Sequence, residues 1–278
     1  MSWDEIVVVD WSAGNDTGPR PEADAIWIGA AGEEPVYCRN RALAESWLTE
    51  RIEAALTTDR RLMLCFDFAF GYPAGFARAI TGRDDPLALW SWLEERIEDA
   101  PKQNNRFDVA ASLNRIFPGI GPFWGNGLKR EIPDLPRRGS DRTCRWKQPR
   151  REAERLAPGA FEVWQLAYTG AVGSQVLMGL PVLERLRTRF PGRIAVWPFE
   201  PLDRPVALVE VWPSLIAKAI ARANPDETIR DRAQVSCLAR ALAAQPDGRL
   251  EQMLDVPRDE EGWILGLGHE GALAEALA

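Results

Sequence analysis

The sequence predicts an α/β fold of three layers around a mixed five- or six-stranded sheet, and three observations predict it. Ile6 to Val9 form an unbroken β-branched run that ends in the carboxylate of Asp10. A run with no polar alternation suits a strand buried on both faces. Leu62-Met-Leu-Cys-Phe-Asp67 repeats the design, an apolar strand closed by an acid. Between the two, residues 41–57 carry Leu43, Trp47, Leu48, Ile52, Ala55 and Leu56 at spacings of three and four. That is the period of an amphipathic helix. A strand–helix–strand crossover makes the two acid-ended strands adjacent and parallel. Their carboxylates then lie at the carboxyl edge, where open α/β sheets build their sites.

The remaining elements follow in order. After the turn residues Ser12, Gly14, Asn15 and Asp16, Ala25 to Gly29 reads as a second strand and Val36 to Cys38 as a third, joined by a hairpin loop at 32–35. The chain then turns helical near 74–80 and again from Pro86 to Ile97. From 101 to 160 the character changes. Pro118, Pro122, Pro133, Pro136, Pro149 and Pro158 forbid a long helix there. Helices are expected over Phe161 to Tyr168 and Ser174 to Phe190, then strands from Arg193 to Trp197 and from Val206 to Trp212. Each strand is stopped by a Trp-Pro pair, because proline removes the next donor. Helices over Ser214 to Ala223 and Thr228 to Ala244 complete a single domain, 1–278, with a helical and irregular insertion at about 101–192.

Composition narrows the classes. Hydrophobic residues make up 46% and charged residues 27% of the 278, as in ordinary globular proteins. A net charge of −7 argues against a protein that coats nucleic acid, while leaving room for a local basic groove. The cysteines at 38, 65, 144 and 237 form no CxxC pair, which argues against a zinc ribbon or a redox dithiol. The N-terminus lacks the basic and apolar regions of a signal peptide, and no run of apolar residues is long enough to span a bilayer. A reduced, cytoplasmic protein without a membrane partner is the expectation.

Four acids stand out by position. Asp10 and Asp67 close strands, Glu210 lies within the apolar strand 206–212, and Asp231 falls in the first turn of the last long helix. Neighbouring strands run about 4.8 Å apart, so carboxylates at matching strand ends repel unless a cation lies between them. Hard oxygen donors of this kind suit Mg²⁺ or Mn²⁺. Three of the four also have a plainer reading. Asp10 caps a turn, Glu210 on an edge strand turns to solvent, and Asp231 is favoured by the helix dipole alone. Ser12, two residues past Asp10, has no His or Lys base in view. Gly170 to Gly173, with Ser174 and Gln175, could offer a helix-start cradle to phosphate, but the stretch lacks the Lys of a P-loop and reads better as an ordinary Gly/Ser helix start. Residues 137–155 hold eight basic against three acidic side chains. Arg142, Arg145 and Lys147, with Trp146 as a stacking face, form either a phosphate-gripping groove or a solvated loop. The single His269 lies in a Gly-rich stretch that reads as a solvated tail.

Taken together, Val-Val-Val-Asp10-Trp-Ser-Ala-Gly, Cys-Phe-Asp67-Phe-Ala-Phe-Gly-Tyr-Pro, Val-Glu210-Val-Trp-Pro and the helix start Asp231-Arg-Ala-Gln-Val resemble the ribonuclease-H-like superfamily. More narrowly they are similar to a poorly characterised bacterial family of predicted nucleases. The resemblance implies a ribonuclease-H-like fold and metal-dependent phosphoester hydrolysis on a nucleic acid or nucleotide. Asp10, Asp67, Glu210 and Asp231 would be the catalytic metal ligands. Members often carry paired acids or a His in the final helix, whereas here Asp231 is followed by Gln234. Two rivals stand beside this reading: an ATP-binding, actin-like phosphotransferase, and a non-catalytic binding module whose carboxylates are structural.

Overall fold

The computed structural model describes residues 2–144, 146 and 148–278. In chain order the elements are β1 (Glu5–Asp10), β2 (Ile26–Ala30), β3 (Val36–Cys38), α1 (Arg41–Thr57), β4 (Leu62–Phe66), α2 (Phe76–Thr81) and α3 (Pro86–Glu94). There follow β5 (Asp99–Ala100), β6 (Gln103–Asn104), α4 (Arg106–Asn114), α5 (Glu152–Leu156), α6 (Val172–Arg189), β7 (Ile194–Val196) and β8 (Val206–Glu210). The chain closes with α7 (Ala217–Ala223), α8 (Arg230–Ala243), α9 (Asp247–Leu254) and α10 (Glu270–Glu275). None of the described helices is long and apolar enough to cross a membrane. The chain divides into two compact units, one of Met1–Phe68, Leu186–Arg258 and Trp263–Ala278, the other of Ala69–Arg185 and Asp259–Gly262.

The first unit is an α/β structure around a mixed six-stranded sheet of order β3-β2-β1-β4-β8-β7. β1 pairs parallel with β4, β4 with β8 and β7 with β8, while β2 runs antiparallel to both β1 and β3. The parallel pairing of β1 and β4 is the one that the crossover through α1 predicts. Residues Val7, Val8 and Val9 of β1 and the whole of β4 and β8 up to Val209 are fully buried, so both faces of the sheet are covered. Ile6, Val8, Met63, Cys65, Ala207 and Val209 point to one face, where they join Val235, Leu238, Ala239 and Leu242 of α8 in one core. Strand alternation sends Val7, Val9, Leu64, Phe66 and Leu208 to the other face. α1 buries Ala44, Leu48, Ile52 and Ala55, which lie along one stripe. Asn40 caps it: its Oδ1 accepts from the Leu43 N–H at 3.0 Å, and its Nδ2 donates to Asp16 at 2.7 Å.

Packing in this unit corrects several expectations. β8 lies between β4 and β7, not at an edge, and Glu210 is only 2% exposed, so it does not turn to solvent. The Gly-rich C-terminal stretch is not a solvated tail. Ile264, Leu265 and Leu273 are buried, and half-buried His269 is the N-cap residue of α10. α9 and α10 are not legible as helices, since each is short and carries a glycine, Gly248 or Gly271, in its first turn. The two Trp-Pro strands stop one to two residues early, at Val196 and Glu210.

The second unit is held by aromatic rings rather than by a sheet. Tyr72, Phe76, Phe123 and Trp164 interlock with centroid separations of 4.7 to 5.9 Å, and Trp146 packs its edge on Phe76 and Phe117. Trp146 is therefore a wall of this core, half-buried, rather than a free stacking face. The expected helix at 161–168 is absent. Trp124 and Gln165 form a bridge there, with the Trp124 N–H donating to Trp164 and the Leu166 N–H donating to Trp124. Those backbone groups pair across the chain, and Tyr168 adopts φ 73°, which no helix continues. Conversely, α4 lies within the stretch expected to be irregular. It precedes Pro118 and buries Phe107, Val109, Ala110, Ala111 and Leu113.

Candidate functional site

The carboxyl edge of the parallel strands assembles the acids of the first unit. Val9 is in register with Phe66, and one step further the Asp67 N–H donates to the Val9 carbonyl at 2.9 Å. Continuing that register sets Asp10 beside Asp67, on the face that carries Val8, Cys65 and α8. Asp231, in the first turn of α8, stands on the same face. Its Oδ2 accepts from the Asp24 N–H at 2.7 Å. Asp24 has a left-handed φ of 57° and is exposed. The Ser12 hydroxyl donates to the Asp24 carbonyl at 2.8 Å and accepts from the Gly14 N–H. Arg41, buried, donates to the Ser12 and Gly14 carbonyls at 3.0 and 2.7 Å. The loop after β1 is thus tied to both α1 and α8. Ser12 acts as a knot in that loop, not as a group directed at a substrate.

Glu210 differs from the other three. It is in register with Phe66, not with Asp67, so alternation directs its side chain to the opposite face of the sheet. The expectation that it joins Asp10 and Asp67 as a ligand on one face is not what the pairing produces. Its charge still reaches Asp67.

The electrostatics follow from burial without a matching cation. Asp10, 8% exposed, is held well above the usual carboxylate range, first by desolvation and then by the charges of Asp67, Asp231 and Asp24. Asp67 is pushed up to about 7 by desolvation, then by Glu210 and Asp231. Asp231 is raised by desolvation, against the hydrogen bond it accepts from Asp24. The guanidinium of Arg230 pulls all three downward. A cation would relieve these repulsions, and hard oxygen donors suit Mg²⁺ or Mn²⁺. Among the described residues no three or more His, Cys, Asp or Glu side chains stand ready-arranged around one metal position. Mg²⁺ tolerates this, since it commonly keeps several waters and takes only one or two carboxylates.

The substrate-binding residues expected in the second unit are engaged within it. Ser174 is buried, donates to the Leu166 carbonyl at 2.6 Å and accepts from Arg106 Nε at 2.9 Å. A side chain at Gly173 would lie 2.3 Å from the Val163 carbonyl, and the Gly173 N–H donates to Gln165. The glycine is there for close packing, and the start of α6 is not an open phosphate cradle. Gln175 is half-buried in α6. Arg142 pairs with Glu162 at 2.9 Å and donates to the Gly139 carbonyl at 3.1 Å. Arg137 pairs with Glu131, and Arg150 donates to the Ala160 carbonyl. Arg145 and Lys147 lie outside the described residues.

Two features escaped the sequence reading. Arg230 and Asp24 belong to the acid cluster, and a second buried charge network lies in the second unit. There Arg151 and Glu154, 2% and 3% exposed, pair at 2.8 Å. Arg151 also donates to the Glu261 carbonyl at 3.0 Å, and the Glu261 carboxylate accepts from the Ala74 and Glu152 N–H groups at 2.8 and 2.7 Å. A sequence signal existed only for Arg230, as a cation placed at a helix start. A cavity of about 250 Å³ opens at the opposite, amino end of β1 among Asp4, Glu5, Glu33, Arg60 and Gln245; none of the candidate residues lines it. Comparisons with protein-family models, curated proteins and solved structures find no match to this chain.

Proposed function

We propose that the protein is a metal-dependent phosphoester hydrolase of ribonuclease-H-like fold, acting on a nucleic acid or nucleotide. One observation carries the reading: Asp10, Asp67 and Asp231 share one face at the carboxyl edge of the sheet, with their mutual repulsion only partly offset by Arg230. A structural role would be better served by amides, which fill the same space without repelling. The element order of the sheet, β3-β2-β1-β4-β8-β7, supports the superfamily resemblance carried by the motifs around Asp10 and Asp67.

In this reading Asp10 and Asp67 would hold Mg²⁺ or Mn²⁺, Asp231 would complete the set from α8, and Glu210 raises the basicity of Asp67 from the far face. Bound metal supplies a water of lowered pKa and stabilises a leaving oxygen. Asp24, Ser12 and Arg41 hold the β1 loop so that Asp231 keeps its orientation. Burial and the neighbouring carboxylates push Asp67 up to about 7, and a cation held there would favour its ionised form.

Thermal unfolding tests this directly. Millimolar Mn²⁺ or Mg²⁺ should raise the wild-type midpoint, because a ligand of the folded state stabilises it by mass action. Asp10→Asn and Asp67→Asn should abolish that rise. Equal midpoints with and without metal in wild type would remove the basis of the proposal and favour a non-catalytic binding module.

A further inference from the structure

Arg230 is the first residue of α8 and is exposed. A cation in the first turn opposes the helix dipole, and the helix start has no side-chain cap to offset it. Two residues on, Arg232 pairs with Glu227 and Glu34. Arg230 has no such acceptor among the described residues. A purely structural counter-charge in this chain looks different: Arg151 is buried, with its guanidinium shared between Glu154 and the Glu261 carbonyl. Arg230 instead keeps its fork of donors in solvent, beside Asp231 and within electrostatic reach of Asp10 and Asp67.

We propose that Arg230 is the substrate-binding residue that grips the phosphate brought to the Asp10–Asp67–Asp231 edge. The inference rests on the phosphoester reading above and specifies how its substrate is held. An acid-lined edge repels a phosphate, so a phosphate-using site needs a cation beside its metal. The planar guanidinium matches phosphate oxygens two at a time. Arg230 also precedes Asp231 directly, so the turn that orients the carboxylate orients the guanidinium.

The test measures binding rather than turnover. Wild type, Arg230→Met and Arg230→Lys are titrated in Mg²⁺ with AMP, with adenosine and with a short fluorescein-labelled oligothymidylate. Unfolding midpoints in Mg²⁺ alone are recorded in parallel. The expected result is that Arg230→Met keeps the metal-dependent rise and weakens the phosphate probe by about tenfold or more, with Arg230→Lys between the two and adenosine unaffected. Binding of AMP alone would identify a nucleotide as the source of the phosphate, and binding of the oligonucleotide alone a nucleic acid; either supports the assignment. Phosphate binding unchanged in Arg230→Met, or no phosphate binding by a wild type that does respond to metal, overturns it. Loss of the metal response in Arg230→Met also overturns it, by making Arg230 a counter-charge. A wild type without any metal response sinks the phosphoester reading and this inference with it.

Discussion

Two clusters of buried charge among the described residues are treated in opposite ways. In the second unit, Arg151 and Glu154 face each other and Glu261 accepts two backbone N–H groups. In the first unit, Asp10, Asp67 and Asp231 face one another, and the only cation that reaches all three from the described residues, Arg230, is exposed. A saturated network fixes a loop and a turn in place. An unsaturated one costs stability, and clusters of this kind are concentrated at functional sites. The contrast separates architecture from candidate chemistry more cleanly than the count of acids does.

Removing Arg151 is the sharpest way to break the comparison. Arg151→Met leaves Glu154 buried without its partner and should lower stability by about 3–5 kcal/mol, read by chemical denaturation. Next in size is the metal effect. At about a hundredfold excess over Kd a ligand stabilises by about 2.7 kcal/mol, and this rise should depend on pH with a definite sign. Asp67 titrates near 7 in the folded protein, against a reference near 3.8. Protons compete with the cation below pH 7, so the Mn²⁺-induced rise should grow from pH 6 to 8 and then level off. Without metal the sign reverses. A raised carboxyl contributes stability below its unfolded pKa and loses it as pH climbs through the folded value, so metal-free stability should fall between about pH 4 and 7. Asp67→Asn should flatten both profiles.

Smaller effects sharpen the same contrast. Ser174→Ala leaves the Leu166 carbonyl and Arg106 Nε with a lost partner, and should cost about 1–3 kcal/mol with no change in metal response. Asp67→Asn, by contrast, should stabilise the metal-free protein above pH 7, on the order of 1 kcal/mol, because it removes a repelling charge at the cluster. A destabilised Asp67→Asn would show that the carboxylate is already satisfied and that the two networks are alike. Arg142→Ala, at a largely buried pair with Glu162, should cost about 1 kcal/mol, through the lost hydrogen bonds to Glu162 and to the Gly139 carbonyl.

Much of the first unit is legible in the chain because its signals are local. The Ile6–Val9 run, the three-and-four spacing of α1 and the Leu62–Phe66 run suffice for β1, α1 and β4. The crossover rule then pairs Asp10 with Asp67 before any coordinates are needed. Asp231 is legible as an acid at a helix start, though not its bond to the Asp24 N–H, some two hundred residues away in sequence. The second unit resists reading because its order comes from non-local rings. Phe161, Trp164 and Tyr168 have the three-and-four spacing of a helix, yet the backbone of Trp164 and Leu166 pairs with Trp124.

The sequence by itself determined that β1 and β4 lie in the centre and which residues end them, since apolar period and terminal acids are properties of short segments. Only the tertiary structure decided what those acids and bases face. It placed Glu210 one register step behind Asp67 and so on the other face. It consumed Ser174 and Arg142 inside the second unit and left Arg230 open beside three carboxylates. Register and burial depend on neighbours brought together by folding, and a charge has no role until its neighbours are known.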